Sequence, residues 1–122
     1  MVKNQEIGKL GENTVAKYLQ GLGWQIIERN KRVPGGEIDI IAKEPKTKTL
    51  VFVEVKAQAG MSSEFKPEDQ YRARKKRITA RSCQWFAGHF PELINEQSGW
   101  RIDLITVVLI GEEPQINHYK NA

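Results

Sequence analysis

Cysteine is almost absent from this chain of 122 residues, because Cys83 is its single cysteine. One cysteine cannot form an intramolecular disulfide or a cysteine cage for zinc, so we expect a protein of a reducing, cytoplasmic compartment. Histidine is scarce as well, and His89 and His118 lack the spacing of metal ligands, so neither is assigned a chemical role. The sequence also lacks a nucleotide-binding glycine fingerprint, a P-loop and a nucleophile elbow. These absences exclude several common enzyme classes.

No apolar stretch approaches the length of a membrane span. The longest aliphatic stretch lies around residues 104–110, whereas a helix needs roughly 20 apolar residues to cross a bilayer. A basic-then-apolar leader does not open the chain. With 122 residues, of which 39% are hydrophobic and 28% are charged, the composition predicts one globular domain over residues 1–122 and no membrane partner.

Hydrophobic periodicity predicts the order helix, three antiparallel strands, helix, strand. The first helix is expected over residues 4–22, with an apolar arc that includes Val15, Tyr18, Leu19 and Leu22. The other predicted elements are strands at 24–30, 37–43, 50–57 and 100–110, a helix at 67–88 and a short edge strand at 115–119. Because a strand–helix–strand crossover makes the flanking strands parallel, the sequence predicts a three-layer α/β/α sandwich with a mixed sheet.

Two charged residues interrupt the apolar third strand. Because side chains alternate between the faces of a strand, Glu54 and Lys56 should lie on the face of Phe52, and Val53 and Val55 on the other. Charges in a buried strand must pair, reach water or hold an ion. A Glu–Lys pair of this kind, taken alone, is most often a solvated face or a structural ion pair.

The second strand supplies another carboxylate. Alternation sets Asp39 on the face opposite Ile38 and Ile40, and antiparallel pairing brings Asp39 towards Glu54. Two carboxylates a few ångströms apart repel each other unless a cation lies between them. Mg²⁺, or Mn²⁺ in its place, is the divalent ion that suits such oxygen ligands. The alternative for Asp39 is to cap a turn.

Three further charged residues have a predicted position. Glu12 lies at the margin of the apolar arc of the first helix, so we expect it to face the sheet edge as a third carboxylate, or else to pair with Lys9. Lys75 lies on the packed side of the second helix, where it could reach a phosphate or snorkel to water. Asp103 lies in an apolar strand, where a charge needs a partner, so we expect it to form a structural salt bridge with an arginine.

Basic residues are concentrated in one segment. The segment 72–81 contains six basic residues and no acidic residue. Its positive charge therefore exceeds the net charge of +4 of the whole chain. These residues are Arg72, Arg74, Lys75, Lys76, Arg77 and Arg81. A basic helix beside a group of carboxylates suits a polyanion such as DNA, whose phosphates it would bind. The alternative is a solvated helix face.

In order along nearly the whole chain, the residues resemble those of the bacterial YraN family. The resemblance is carried by Gly11-Glu12, Asn30, Arg32, Gly36-Glu37-Ile38-Asp39-Ile40-Ile41-Ala42, Val51-Phe52-Val53-Glu54-Val55-Lys56, Arg101-Ile102-Asp103 and a tail with His118 and Asn121. That family is similar to the PD-(D/E)xK nuclease superfamily, which includes archaeal Holliday-junction resolvases. The resemblance therefore implies a restriction-endonuclease-like core.

The superfamily motif implies a role for each matching residue. Asp39 and Glu54 correspond to its acidic metal ligands, and Lys56 to the lysine that orients or helps to deprotonate the attacking water. Glu12 is similar to the helix-borne glutamate that some resolvase-like members add as a further ligand. The resemblance thus implies Mg²⁺ or Mn²⁺ as the cofactor.

The implied activity is that of a metal-dependent endonuclease that hydrolyses branched or otherwise structured DNA. If the substrate is a four-way junction, its two-fold symmetry calls for a homodimer. Two other hypotheses remain open: a non-catalytic nucleic-acid-binding protein on a nuclease scaffold, and an interaction module with only structural ion pairs. The sequence departs from the motif at Ile38, which replaces a proline, and at Ala57-Gln58, where a Thr-Arg pair is commoner.

Overall fold

The computed structural model describes residues 4–60, 76–109 and 111–121 of the chain. In chain order the helices and strands of this part are α1 (Asn4–Gly21), β1 (Gln25–Val33), β2 (Gly36–Lys43), β3 (Leu50–Gln58), α2 (Lys76–His89), β4 (Trp100–Val108) and β5 (Gln115–Tyr119), with a 3₁₀ turn at Pro91–Leu93. The predicted order of elements is confirmed. No helix among the described residues is both long and apolar enough to cross a membrane.

The five strands form one mixed sheet in the order β1-β2-β3-β4-β5. The first three strands pair antiparallel in succession, β3 and β4 pair parallel, and β5 pairs antiparallel with β4. Parallel neighbours need a long crossover, and the segment between β3 and β4 that includes α2 supplies it. The predicted α/β class, the mixed sheet and the edge strand at Gln115–Tyr119 are confirmed.

Apolar side chains form two clusters, each covered by one helix. In the α1 cluster, Val15 and Leu19 pack against strand residues that include Val53. In the α2 cluster, Phe86 packs against Phe52, whose ring it meets edge-on at 5.7 Å between centroids. Consecutive strand residues point to opposite faces, so Phe52 and Val53 set the two clusters on the two faces of the sheet. Burial of each large side chain contributes about 1.5–3 kcal/mol.

Glycine determines how closely α1 approaches the sheet. A Cβ atom on Gly11 would overlap the Cβ of Ala57 on β3 and lie 3.1 Å from a methyl group of Val107 on β4. The helix therefore rests with its backbone against these two strands, which only glycine permits. Gly23, with a φ of 91°, ends the helical segment as expected.

The buried face of α1 is displaced from the arc that the helical wheel predicts. Tyr18 is 36% exposed and Leu22 is 53% exposed, although both were expected on the packed arc. Ala16 is buried instead, so the buried arc is displaced towards Ala16 and leaves Tyr18 at its opposite margin. Leu22 lies beyond the end of α1 at Gly21, where helical spacing no longer applies.

The hairpin of β1 and β2 is longer than predicted. Strand β1 continues past Asn30 to Val33, and a two-residue turn of Pro34 and Gly35 connects it to Gly36. Gly35 has a φ of 90°. This value suits the third position of a type II turn, in which proline is common at the second position. Asn30 has a φ of 51°, so it is a left-handed residue inside a strand. The expectation that β1 ends at residue 30 followed from the polar sequence there and is wrong.

Candidate active site

Asp39 lies where the pairing of β2 and β3 stops. The pairs run from Lys43 opposite Leu50 to Ile40 opposite Val53, and one more step along this register would set Asp39 opposite Glu54. At this step Asp39 instead accepts a hydrogen bond on its Oδ2 atom from the backbone N–H of Val55, at 2.9 Å. The carboxylate thus takes the place of a backbone acceptor, between the positions of Glu54 and Lys56.

The pleat of β2 changes phase at Asp39. Ile38 packs in the α2 cluster, whereas Ile40 packs in the α1 cluster. The expectation that Ile38 and Ile40 share a face is therefore wrong. The change coincides with Asn30, which lies opposite Asp39 in the β1–β2 register and whose left-handed backbone interrupts the regular alternation.

Glu12, on the half-buried margin of α1, lies close enough to Asp39 for the two charges to interact. Burial raises the pKa of Glu12 above its ordinary value of 4.5, and the nearby carboxylates of Asp39 and Glu37 raise it further. Arg29 and the side-chain amide of Asn30 lower the same pKa in part. The carboxylates of Asp39 and Glu37 on β2 are therefore close enough to Glu12 on α1 to repel its charge.

Val53 and Val55 pack with α1, whereas Glu54 lies on the face of Phe52 towards α2, as alternation predicted. The same alternation assigns Lys56 to the face of Glu54. Glu54 is 5% exposed, and its charge acts on the thiol of Cys83 in α2. Burial raises the pKa of Cys83 above its ordinary value, and Glu54 raises it further. This thiol therefore stays protonated and unreactive at neutral pH.

Only part of the predicted basic segment can be placed. Arg72, Arg74 and Lys75 lie outside the described residues, and Lys76 and Arg77 belong to α2 without a described side chain. Arg81 is exposed and lies against the β1–β2 turn, where its Cδ would be 4.0 Å from a Cβ built on Gly35. At this end of the hairpin is a cavity of about 390 Å³, and its lining consists of Arg32, Val33, Gly36 and Glu37. One cation of the basic segment thus borders the hairpin that carries Asp39.

The donor set suits a hard cation bound through few side chains. Asp39, Glu54 and Glu12 offer carboxylate oxygens, the ligands that Mg²⁺ prefers. Among residues 4–60, 76–109 and 111–121, no three His, Cys, Asp or Glu side chains are grouped so that they could hold a metal ion. Mg²⁺ commonly binds through one or two carboxylates and keeps several waters, so it is the chemical type of these ligands, and not a preformed cage, that suits such an ion.

The sequence pattern did not point to two polar residues of β1. Arg29 donates a hydrogen bond to the side chain of Asn13 in α1, and Asn30 lies opposite Asp39. Counting back from the two-residue turn would have predicted the position of Asn30, because the register of such a hairpin follows from its turn. Its contact with Glu12 depends on the placement of α1 and had no signal in the sequence.

Asp103 belongs to a second polar group, whose members come from β4, β5 and the β2–β3 turn. It is fully buried and forms the salt bridge with Arg101 that the sequence predicted, with 2.9 Å between Nε and Oδ1. His118, to which no role was assigned, hydrogen-bonds to Asp103 at 2.7 Å. Arg101 also pairs with Glu44 at 2.9 Å, and the backbone N–H of Asn121 donates to Asp103. This group, which we call the Asp103 network, connects β5 and Asn121 to β4.

Comparison with known proteins finds relatives over nearly the whole chain. The profile of the uncharacterised protein family UPF0102 matches residues 11–107. The UPF0102 protein of Syntrophotalea carbinolica is 35% identical and covers 95% of this chain and 89% of its own. The UPF0102 protein of Trichlorobacter lovleyi is 36% identical, and the match covers 98% of this chain and 91% of that protein. The UPF0102 protein of Mycobacterium ulcerans is also 36% identical, and the match covers 93% of this chain and 90% of that protein.

Among solved structures, SfsA of Pyrococcus furiosus in complex with Ca²⁺ shows a weak likeness. It is 16% identical to this chain, and the match covers 95% of this chain and 61% of SfsA. The TM-score of 0.35 is too low to assign a shared fold.

Proposed function

The chain belongs to the uncharacterised protein family UPF0102, the YraN family, and from that premise we propose that it is a metal-dependent endonuclease. Its substrate would be branched or otherwise structured DNA, in which it would hydrolyse phosphodiester bonds. One observation carries the proposal. Where β2 and β3 stop pairing, the Asp39 carboxylate accepts a hydrogen bond from the backbone N–H of Val55, the residue between Glu54 and Lys56.

The proposed fold is the restriction-endonuclease-like α/β/α sandwich. Two features support it: the antiparallel β1-β2-β3 unit followed by a parallel β4, and one helix over each of the two apolar clusters. In such a sandwich the acidic and basic residues of the central strands meet at one sheet position. The pairing gap at Asp39 is the position in this sheet that suits them.

Each residue of the site has a proposed task. Asp39 and Glu54 would hold Mg²⁺ or Mn²⁺ together with a backbone carbonyl, and Glu12 would bind directly or through water. Such an ion lowers the pKa of a bound water and offsets charge on the phosphate. Lys56 would orient the attacking water or accept its proton. Arg81 and the other basic residues of segment 72–81 would bind the DNA backbone.

The first test measures cleavage by the purified protein with Mg²⁺ or Mn²⁺. The substrates are labelled four-way junctions, flaps and linear duplexes of equal length. We expect cleavage of a branched substrate, and a loss of about 100-fold or more in Asp39→Asn and Glu54→Gln, because each variant removes charge that would hold the ion. Glu92→Gln, which changes an exposed carboxylate on the 3₁₀ turn, is the matched control and should cleave normally.

The same proteins distinguish the other hypotheses by DNA binding in the absence of divalent metal. If the wild type binds DNA in a salt-dependent manner but cleaves none of the substrates, it is a non-catalytic binding protein and the nuclease proposal fails. If it neither binds nor cleaves, the interaction module is favoured. If Asp39→Asn cleaves as well as the wild type, the site is not the one proposed.

A further inference from the structure

Asn30 connects two carboxylates that belong to different elements. Its side-chain nitrogen lies 2.7 Å from Glu12 Oε1 on α1 and 3.2 Å from Glu37 Oε1 on β2. The amide must have this orientation, because its oxygen would otherwise face two carboxylate oxygens that cannot donate. One NH₂ group therefore donates to both glutamates.

The backbone of Asn30 is adapted to this contact. Its φ of 51° lies in the left-handed region, which asparagine tolerates better than most residues. The pairs on either side, Arg29 with Ile40 and Lys31 with Ile38, keep the register, so Asn30 lies opposite Asp39. The amide thus points from the strand position closest to Asp39 towards α1.

A second contact runs parallel to the first. Arg29, the residue before Asn30, donates from Nη2 to Asn13 Oδ1 at 2.6 Å. Two consecutive residues of β1 therefore hold two consecutive residues of α1, Arg29 with Asn13 and Asn30 with Glu12. Such a double contact fixes both the rotation and the position of the helix at Glu12, and the amide offsets the repulsion between Glu12 and Glu37.

We infer that Asn30 is a positioning residue for Glu12. Its amide holds the Glu12 carboxylate beside Asp39, so that Glu12 contributes to binding of the divalent cation. This role rests on the proposed function, since it requires a cation at Asp39. Asn30 touches neither the substrate nor the ion in this role and acts through Glu12 alone.

The test is a Mn²⁺ binding isotherm on the full-length protein, measured by calorimetry together with thermal unfolding. Asn30→Gly removes the amide and keeps the left-handed backbone without strain. The matched control is Lys48→Gly, because Lys48 is another exposed non-glycine residue with a positive φ, 60°, and lies in the β2–β3 turn. We expect Asn30→Gly to weaken Mn²⁺ binding by about 10-fold or more, as removal of a ligand's hydrogen-bond partner commonly does. Lys48→Gly should bind like the wild type.

A double-mutant cycle with Glu12→Gln separates positioning from a general loss of structure. If Asn30 acts through Glu12, Asn30→Gly has no further effect on Mn²⁺ affinity in the Glu12→Gln background. An equal loss in both backgrounds would overturn the inference. So would wild-type affinity in Asn30→Gly. If Asn30→Gly fails to fold, Asn30→Ala replaces it in the same cycle. If the wild type itself binds no Mn²⁺, the proposed function fails, and the role of Asn30 towards a metal fails with it.

Discussion

Two groups of carboxylates in this fold have opposite electrostatic surroundings. In the Asp103 network, a hydrogen bond from Arg101 lowers the pKa of Glu44 to about 2 against the effect of burial, and Thr47 and Lys120 add to it. Burial works against Asp103 as well, yet hydrogen bonds from His118 and Arg101 hold its pKa below 3.8. In the site at Asp39, burial and like charges raise the pKa of Glu12.

The difference separates carboxylates whose charge the fold compensates from one, Glu12, whose surroundings disfavour its charge. The Asp103 network contains its own cations and donors, so its negative charge is compensated once the chain folds. The charge of Glu12 lies near those of Asp39 and Glu37, and Arg29 and Asn30 offset this repulsion in part. Raised pKa values of this kind are commoner at functional sites than in structural ion pairs.

Asp103→Asn should produce the largest effect on stability. The change removes a fully buried charge that pairs with Arg101 and hydrogen-bonds to His118, so we expect a loss of about 3–5 kcal/mol in the free energy of unfolding. Urea unfolding at neutral pH measures it. Glu28→Gln, which breaks an exposed pair with Lys31, is the control and should cost less than about 1 kcal/mol. A loss in Asp103→Asn as small as that of the control would show that the network is not stabilising.

Gly11→Ala should have an intermediate effect on stability, and it should also change the site at Asp39. Its new methyl group would overlap Ala57 and push α1 outward, for an expected loss of about 1–3 kcal/mol by urea unfolding. Because α1 carries Glu12, affinity for Mn²⁺ should also fall. Gly8→Ala is the matched control on the same helix: a Cβ there meets nothing within 4 Å, so the variant should be as stable as the wild type or more so. Unchanged stability in Gly11→Ala would contradict the close approach.

Glu12→Gln should have the smallest effect on the free energy of unfolding, and it should increase stability, whereas Asp103→Asn decreases it. A raised pKa means that folding favours the protonated form, so the wild type loses stability as the pH rises from 4.5 through the raised value. The uncharged variant should therefore be more stable than the wild type at pH 7, by less than about 1 kcal/mol because water screens this half-buried group, and equally stable below pH 4. Thermal unfolding across this pH range measures the difference. Glu112→Gln, at an exposed position, should show no such trend. A destabilised Glu12→Gln at pH 7 would mean that the charge of Glu12 is already compensated.

Sequence periodicity predicted most of the fold because strands and helices repeat locally. The apolar run of β3, with Glu54 and Lys56 on the face of Phe52, follows directly from a period of two. The parallel pairing of β3 and β4 follows from the crossover between them. The prediction was wrong where one residue breaks the period, as at Asn30, whose left-handed backbone coincides with the separation of Ile38 from Ile40.

The sequence by itself determined the order of helices and strands in the described part of the chain, the carboxylates of β2 and β3 and the concentration of basic residues at 72–81, since these depend on residue type and short-range spacing. The tertiary structure decided which charges are compensated. His118 reaches Asp103, and Asn30 reaches Glu12, only because strand register and the close seating of α1 at Gly11 bring distant parts of the chain together. Electrostatic energy depends on distances and burial, and a local pattern contains neither.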